Sequence, residues 1–150
     1  MITSLTALTL LVAFGVPVAV SDFRTKTVSN RLVMLFTLAS FAGYGFLVLT
    51  RSIAVTPALF AAFLALGVFL LLYLVGRGGL GEADVKLAPA IGLLVALGSL
   101  QSVFTWLVVT FLLAGGFALV QLLRKRLGLQ DTFAFAPHMF GAAIITVLMS

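Results

Sequence analysis

From Leu87 to Leu123 the chain carries no charged residue, and Ile2 to Val20 is equally bare. These runs constrain the fold more than any other feature. Soluble domains carry about one charged residue in four, whereas only 9% of these 150 residues are charged and 63% are hydrophobic. That balance excludes an ordinary water-soluble globule, and disordered segments are poor in apolar residues. A helix needs roughly 20 apolar residues to cross a bilayer. The expectation is an all-α integral membrane protein, a single membrane-embedded domain over 1–150 with no sizeable extramembrane part.

The few polar residues divide the chain into about six transmembrane helices. Ile2 to Val20 is the first span. A cleaved signal peptide is disfavoured because the opening MITS lacks the Lys or Arg of a positive n-region and no soluble domain follows. A polar island runs from Ser21 to Arg31, and Leu32 to Leu49 forms the second span, with Arg51 in a short turn. Thr56 and Pro57 open a third span to about Val75, since Pro suits the first turn of a helix. The glycine-rich segment Gly76 to Asp84 follows. Leu87 to Leu123 is too long for one span and is expected to break near Gly98, Ser99, Gln101 and Ser102, giving the fourth and fifth. Arg124, Lys125 and Arg126 close the fifth. Gly128 to Asp131 is a loop, and Phe133 to Met149 is the sixth span.

The loops after spans one, three and five hold Arg24, Lys26, Arg31, Arg77, Lys86 and the 124–126 cluster, against Arg51 alone on the other side. The bias of Lys and Arg toward the cytoplasm then predicts both termini outside and three charged loops inside. The net charge of +5 is accounted for by this flanking pattern, and no nucleic acid partner is implied. Cysteine is absent, which excludes disulfides, cysteine nucleophiles and cysteine-based zinc sites. One His and few acids speak against an all-protein metal site, and no cofactor is implied.

Leu87 to Leu97 would rise only about 16 Å as a helix, against a hydrocarbon core of about 30 Å. The fourth span must therefore recruit residues on both sides, which brings Asp84 and Lys86 to the cytoplasmic boundary. Pro89 falls in its first turn or kinks it.

Asp22 and Asp84 are the informative pair, each where a cytoplasmic loop meets a span. Acidic residues near lipid are expensive and commonly functional. Two carboxylates brought together titrate apart through desolvation and like charge. The ionised one can then deprotonate a water while the other donates a proton to a peptide carbonyl. Each also has an ordinary structural use: Asp22 as a helix cap or the partner of Lys26, Asp84 as a cap of the fourth span. Gly76, Gly78, Gly79 and Gly81 suit a flexible loop or backbone that approaches a substrate closely. They lack the Gly-Lys-Ser/Thr ending of a phosphate loop. Lys86 can orient a substrate carboxylate, tune Asp84 or snorkel to headgroups, and Arg24 and Lys26 share that ambiguity. His138 reads first as a packing residue and second as a base.

The stretch Ser21-Asp22-Phe23-Arg24-Thr25-Lys26-Thr27-Val28-Ser29-Asn30 resembles the first signature of type IV prepilin peptidases: an Asp, basic residues a few positions on, and a hydrophobic-Pro-Asn ending. Gly79-Leu80-Gly81-Glu82-Ala83-Asp84-Val85-Lys86-Leu87 resembles the second, a glycine-rich stretch ending in Gly-Asp-x-Lys-Leu. Phe133-Ala134-Phe135-Ala136-Pro137 resembles the Phe-Gly-Pro segment that opens the last helix. The order, spacing and span count agree over essentially the whole chain.

The resemblance implies a Gly-x-Gly-Asp membrane aspartic endopeptidase of the cytoplasmic (inner) membrane. It would cut the leader from prepilin-like precursors at the cytoplasmic border, with Asp22 and Asp84 as the catalytic pair. Gly79, Gly81, Lys86, Arg24 and Asn30 would support the site or bind substrate, with no metal. Ser29 departs from the usual Pro, and Ala83 from the usual last Gly. Without cysteines or an extra domain, the chain is similar to the short, peptidase-only form serving Flp/Tad-type pili. Two readings from other classes stand beside it: a small transporter or channel subunit relaying protons or cations through Asp22 and Asp84, and an inactive pilus-assembly factor. The transporter reading prefers acids near the bilayer midplane and paired broken helices, whereas both acids here lie at span ends on one side.

Overall fold

The computed structural model describes residues 2–25, 27–51, 53–76, 80–124 and 134–150. Among them the chain forms six helices: α1 (Ile2–Thr25), α2 (Asn30–Arg51), α3 (Val55–Val75), α4 (Glu82–Val95), α5 (Leu100–Leu123) and α6 (Ala136–Met149). The all-α membrane architecture expected from hydropathy is therefore observed. Four helices, α1, α2, α3 and α5, are long and apolar enough to cross a bilayer. α4 and α6 have 14 residues each, a rise of about 21 Å.

The outer helices are apolar nearly all round, as suits lipid: a narrow stripe faces protein and much of the rest is exposed. On α1 the buried residues are Ala7, Leu11, Gly15, Val18 and Asp22, and on α2 they are Val33, Phe36, Ser40, Tyr44 and Leu47. Both follow the three- and four-residue steps of a helix face. Their other faces expose Leu5, Val16, Leu38 and Phe46, as α3 exposes Phe63 and Leu71. A continuous apolar surface of this kind belongs in hydrocarbon rather than water.

α4 is different. It packs against all five other helices, and every residue from Ala90 to Val95 is buried. Small residues let it approach α3. A Cβ on Gly92 would lie 2.9 Å from the Ala65 Cβ and 3.0 Å from the Ala61 carbonyl oxygen, a spacing that only the missing side chain permits. α1 meets α6 just as closely, since a Cβ on Gly15 would fall 2.6 Å from Phe140 Cδ1. Phe69 stacks on Trp106 at 6.0 Å between ring centroids, and the Trp106 indole N–H donates to the Met139 carbonyl at 3.0 Å.

The helices alternate in direction. One end gathers Asp22, Thr27, Val28 and Asn30, Gly81 to Asp84 and Lys86 around a single cleft. At the other, Ile2 and Thr3 meet Arg51 and Ile53, while Gly98 and Ser99 meet Met149 and Ser150.

Several boundaries differ from expectation. α1 runs through the start of the polar island to Thr25, whose hydroxyl donates to the Ser21 carbonyl one turn back at 2.8 Å. Arg51 ends α2 instead of sitting in a turn. α4 begins at Glu82, so Asp84 lies in its first turn and Pro89 lies well inside it. The long apolar stretch breaks at 96–99, and Gln101 and Ser102 already belong to α5. Ser99 marks the start of α5 by capping it, its hydroxyl accepting the Ser102 N–H at 3.1 Å. α6 begins at Ala136. Phe133, where the sixth span was expected to open, lies outside the described residues, as do Lys26, Arg77, Gly78, Gly79, Lys125, Arg126 and Asp131.

Candidate active site

Asp22 ends the buried stripe of α1, four residues after Val18, so the helix that anchors the stripe also aims this carboxylate inward. It is buried, and its Oδ2 accepts the Ala136 N–H at 3.0 Å. Ala136 is the first residue of α6 and Pro137 the second. The first amides of a helix have no partner within it, and the partial positive charge there favours a carboxylate. The tight α1–α6 approach at Gly15 and Phe140 keeps these two elements in register.

Asp84 is held by its own turn. The Gly81 N–H donates to Asp84 Oδ2 at 3.1 Å, and the Asp84 N–H donates back to the Gly81 carbonyl at 3.1 Å. Asp84 thus serves the cap of α4 from the third helical position, Gly81 being the capping residue itself, and the pairing fixes the carboxylate at the mouth of α4, ahead of the apolar stretch that begins at Leu87. A Cβ on Gly81 would lie 3.1 Å from the same Oδ2, so glycine leaves room for the carboxylate there. Burial first, and the nearby Asp22 carboxylate second, push the Asp84 carboxyl up to about 7, with the Gly81 amide opposing them.

The two aspartates line one cleft of about 210 Å³, together with Thr27, Val28, Asn30, Gly81, Glu82, Ala83 and Lys86. Its floor is acidic and buried, and its rim is charged and exposed. Lys86 Nζ lies 2.6 Å from Glu82 Oε1, one turn away on α4. It also donates to Asn30 Oδ1 on α2 at 3.5 Å. The Lys86 hydrogen bond and charge hold the exposed Glu82 carboxyl below the usual carboxylate range.

Of the residues singled out in the sequence, Asp22, Asp84, Gly81, Lys86 and Asn30 are brought together here. Arg24 is exposed on the last turn of α1 and is not among the residues lining the cleft; it suits the negative end of the helix dipole. Gly79 lies outside the described residues. Ser29, which departs from the usual Pro, caps α2: its hydroxyl accepts the Arg31 N–H at 3.3 Å and its carbonyl accepts the Val33 N–H at 3.1 Å. Ala83 lines the cleft and is half-buried. His138 lies within electrostatic reach of Asp22. Its Nδ1 is 3.1 Å from the Ala134 carbonyl oxygen, and its ring packs on Phe117 at 4.9 Å.

Thr27, Val28 and the Ala136 amide were not anticipated. Pro137 is the signal that marks the Ala136 amide, because a Pro just inside a helix start flags where free amides point. Together, two buried carboxylates in one cleft, one of them poised to hold a proton near neutrality, have the make-up of a general acid–base pair.

The model of a protein family described as the type IV leader peptidase family matches residues 9–123. That span contains both aspartates and the cleft rim, and α6 lies beyond it. No curated protein and no solved structure matches the chain.

Proposed function

The chain belongs to the type IV leader peptidase family, and from that premise we propose that it is an aspartic endopeptidase of the cytoplasmic membrane that removes the leader from prepilin-like precursors. The observation that carries this reading is the shared cleft of Asp22 and Asp84. The ends that carry the cleft, with most of the basic residues, face the cytoplasm, and both termini face outward.

Asp22 is the base and Asp84 the acid. Burial raises both carboxyls; the Ala136 amide at the start of α6 opposes that rise at Asp22, whereas the neighbouring Asp22 charge adds to it at Asp84, so Asp22 is the one that ionises. Asp22 takes a proton from a water as its oxygen attacks the scissile carbonyl carbon. Asp84 gives its proton to the carbonyl oxygen, yielding a neutral tetrahedral diol. Asp22 then passes the proton to the leaving nitrogen while Asp84 recovers one from the diol, the C–N bond breaks, and acid and amine leave. Water supplies every atom gained. The substrate fits the depth of the site: a polar leader followed by an apolar helix presents its junction at the membrane boundary, where Asp84 opens α4. Gly81 and Asn30 frame the approach, and Lys86 and Glu82 guard the rim.

The test is cleavage of a prepilin-like substrate in membranes by the parent, Asp22→Asn and Asp84→Asn. The parent should release the leader and both variants should fail. Full activity in either variant would refute the mechanism, and a parent that cuts no such substrate would refute the function.

A further inference from the structure

The rim of the cleft carries an asymmetry that the acid–base chemistry leaves unused. Among the described residues lining it, Asp22, Glu82 and Asp84 are acidic and Lys86 alone is basic. The floor carboxylates are buried, whereas the Glu82 side chain is 69% exposed and that of Lys86 43%. Glu82 is therefore the carboxylate that an arriving side chain meets first.

Lys86 occupies it loosely. An exposed ion pair between neighbouring turns contributes little, because solvent screens it and two long side chains must be held in one geometry. The second contact, to Asn30 at 3.5 Å, is at the outer limit of a hydrogen bond. A competing cation can displace this arrangement without unfolding anything. The reading of the site as a leader peptidase, on which this inference rests, supplies one. A membrane-inserted precursor carries Lys and Arg on the cytoplasmic flank of its apolar helix, next to the bond that reaches Asp84. Glu82 stands two residues before Asp84 on the same turn, within the span of a few residues of extended peptide at about 3.3 Å each.

We propose that Glu82 is a specificity residue that binds a cationic side chain on the leader side of the scissile bond, displacing Lys86, which occupies the position at rest. Lys86 keeps Asn30 as a partner when displaced, so neither charge is stranded.

The experiment uses the full chain in lipid nanodiscs and three prepilin-like substrates that differ only in having Lys, Gln or Glu at one leader position beside the cleavage bond. The parent should favour Lys over Glu by about three- to fivefold in kcat/KM at low salt, with the ratio narrowing as salt screens the rim. Glu82→Gln should bring the ratio close to one, Glu82→Lys should invert it, and Glu82→Asp should restore it. Because each ratio is taken within one variant, differences in folded protein cancel. A parent ratio of one, or an unchanged ratio in Glu82→Gln, would overturn the proposal while leaving the peptidase reading intact. A parent that cuts none of the three would overturn both.

Discussion

Asp22 and Asp84 are both buried in the same cleft and each accepts one backbone amide, yet they are held in opposite ways. The amide on Asp22 comes from Ala136, 114 residues along the chain and on another helix. The amide on Asp84 comes from Gly81, three residues back in its own cap. One carboxylate is placed by tertiary packing and the other by a local turn. The lesson is that the two carboxylates are positioned independently even where they act together: loosening α1 from α6 displaces Asp22, while altering the cap of α4 displaces Asp84.

The most severe break should come at the α1–α6 contact. Gly15→Leu forces a side chain into Phe140, and overpacking of this kind costs about 1–3 kcal/mol. The thermal midpoint in detergent should fall clearly and leader cleavage should be lost with it, because the Ala136 amide moves off Asp22. Gly15→Ala should give the same pattern to a smaller degree.

A second effect isolates Asp84. Its carboxyl rises from an ordinary value of 3.8 to about 7 in the folded chain, so between those values the folded form holds a proton that the unfolded form has released. Stability contributed by this group is therefore lost as pH rises through that window. A series of unfolding midpoints from pH 4 to pH 7 should show this decline in the parent, and Asp84→Asn should make it shallower, leaving the part contributed by Asp22, whose carboxyl burial also raises. An equally steep decline in Asp84→Asn would assign the slope to other groups.

Gly81→Ala is a gentler probe of the same half. Its backbone φ of −75° suits any residue, so only the contact with Asp84 Oδ2 at 3.1 Å changes. Cleavage should drop by roughly tenfold through misplacement of the carboxylate, with the unfolding midpoint nearly unchanged. The smallest effect belongs to Ser29→Ala, which removes the cap of α2 and should lower stability by about 0.5–1 kcal/mol.

This contrast also explains what could be read from the sequence. The spans of α2 and α3 were legible because charged or turn residues bracket them, and the two aspartates stood out because acids are so scarce. A capping use of Asp84 was legible too, but its pairing with the Gly81 amide was not, because Gly81 read as part of a flexible glycine run. The partner of Asp22 was not, because a contact between α1 and α6 leaves no trace in either segment alone. Nor was the extent of α4: a helix buried on every side has no polar stripe to mark its ends, and Pro89 within it suggested a start where the helix was already two turns long. The run of α1 to Thr25 was not legible either, since the Thr25 hydroxyl finds backbone carbonyls of Ser21 and Thr27 within reach of its one proton, which composition does not reveal.

The claim that Asp22 and Asp84 work as one unit is tested most directly by kcat/KM for leader cleavage in Asp22→Asn, Asp84→Asn and the double variant. Residues that act together are strongly non-additive. Each single variant should lose on the order of a thousandfold, and the double variant should lose no more than either one. Losses that multiply in the double variant, or one single variant that cuts at the parental rate, would contradict it.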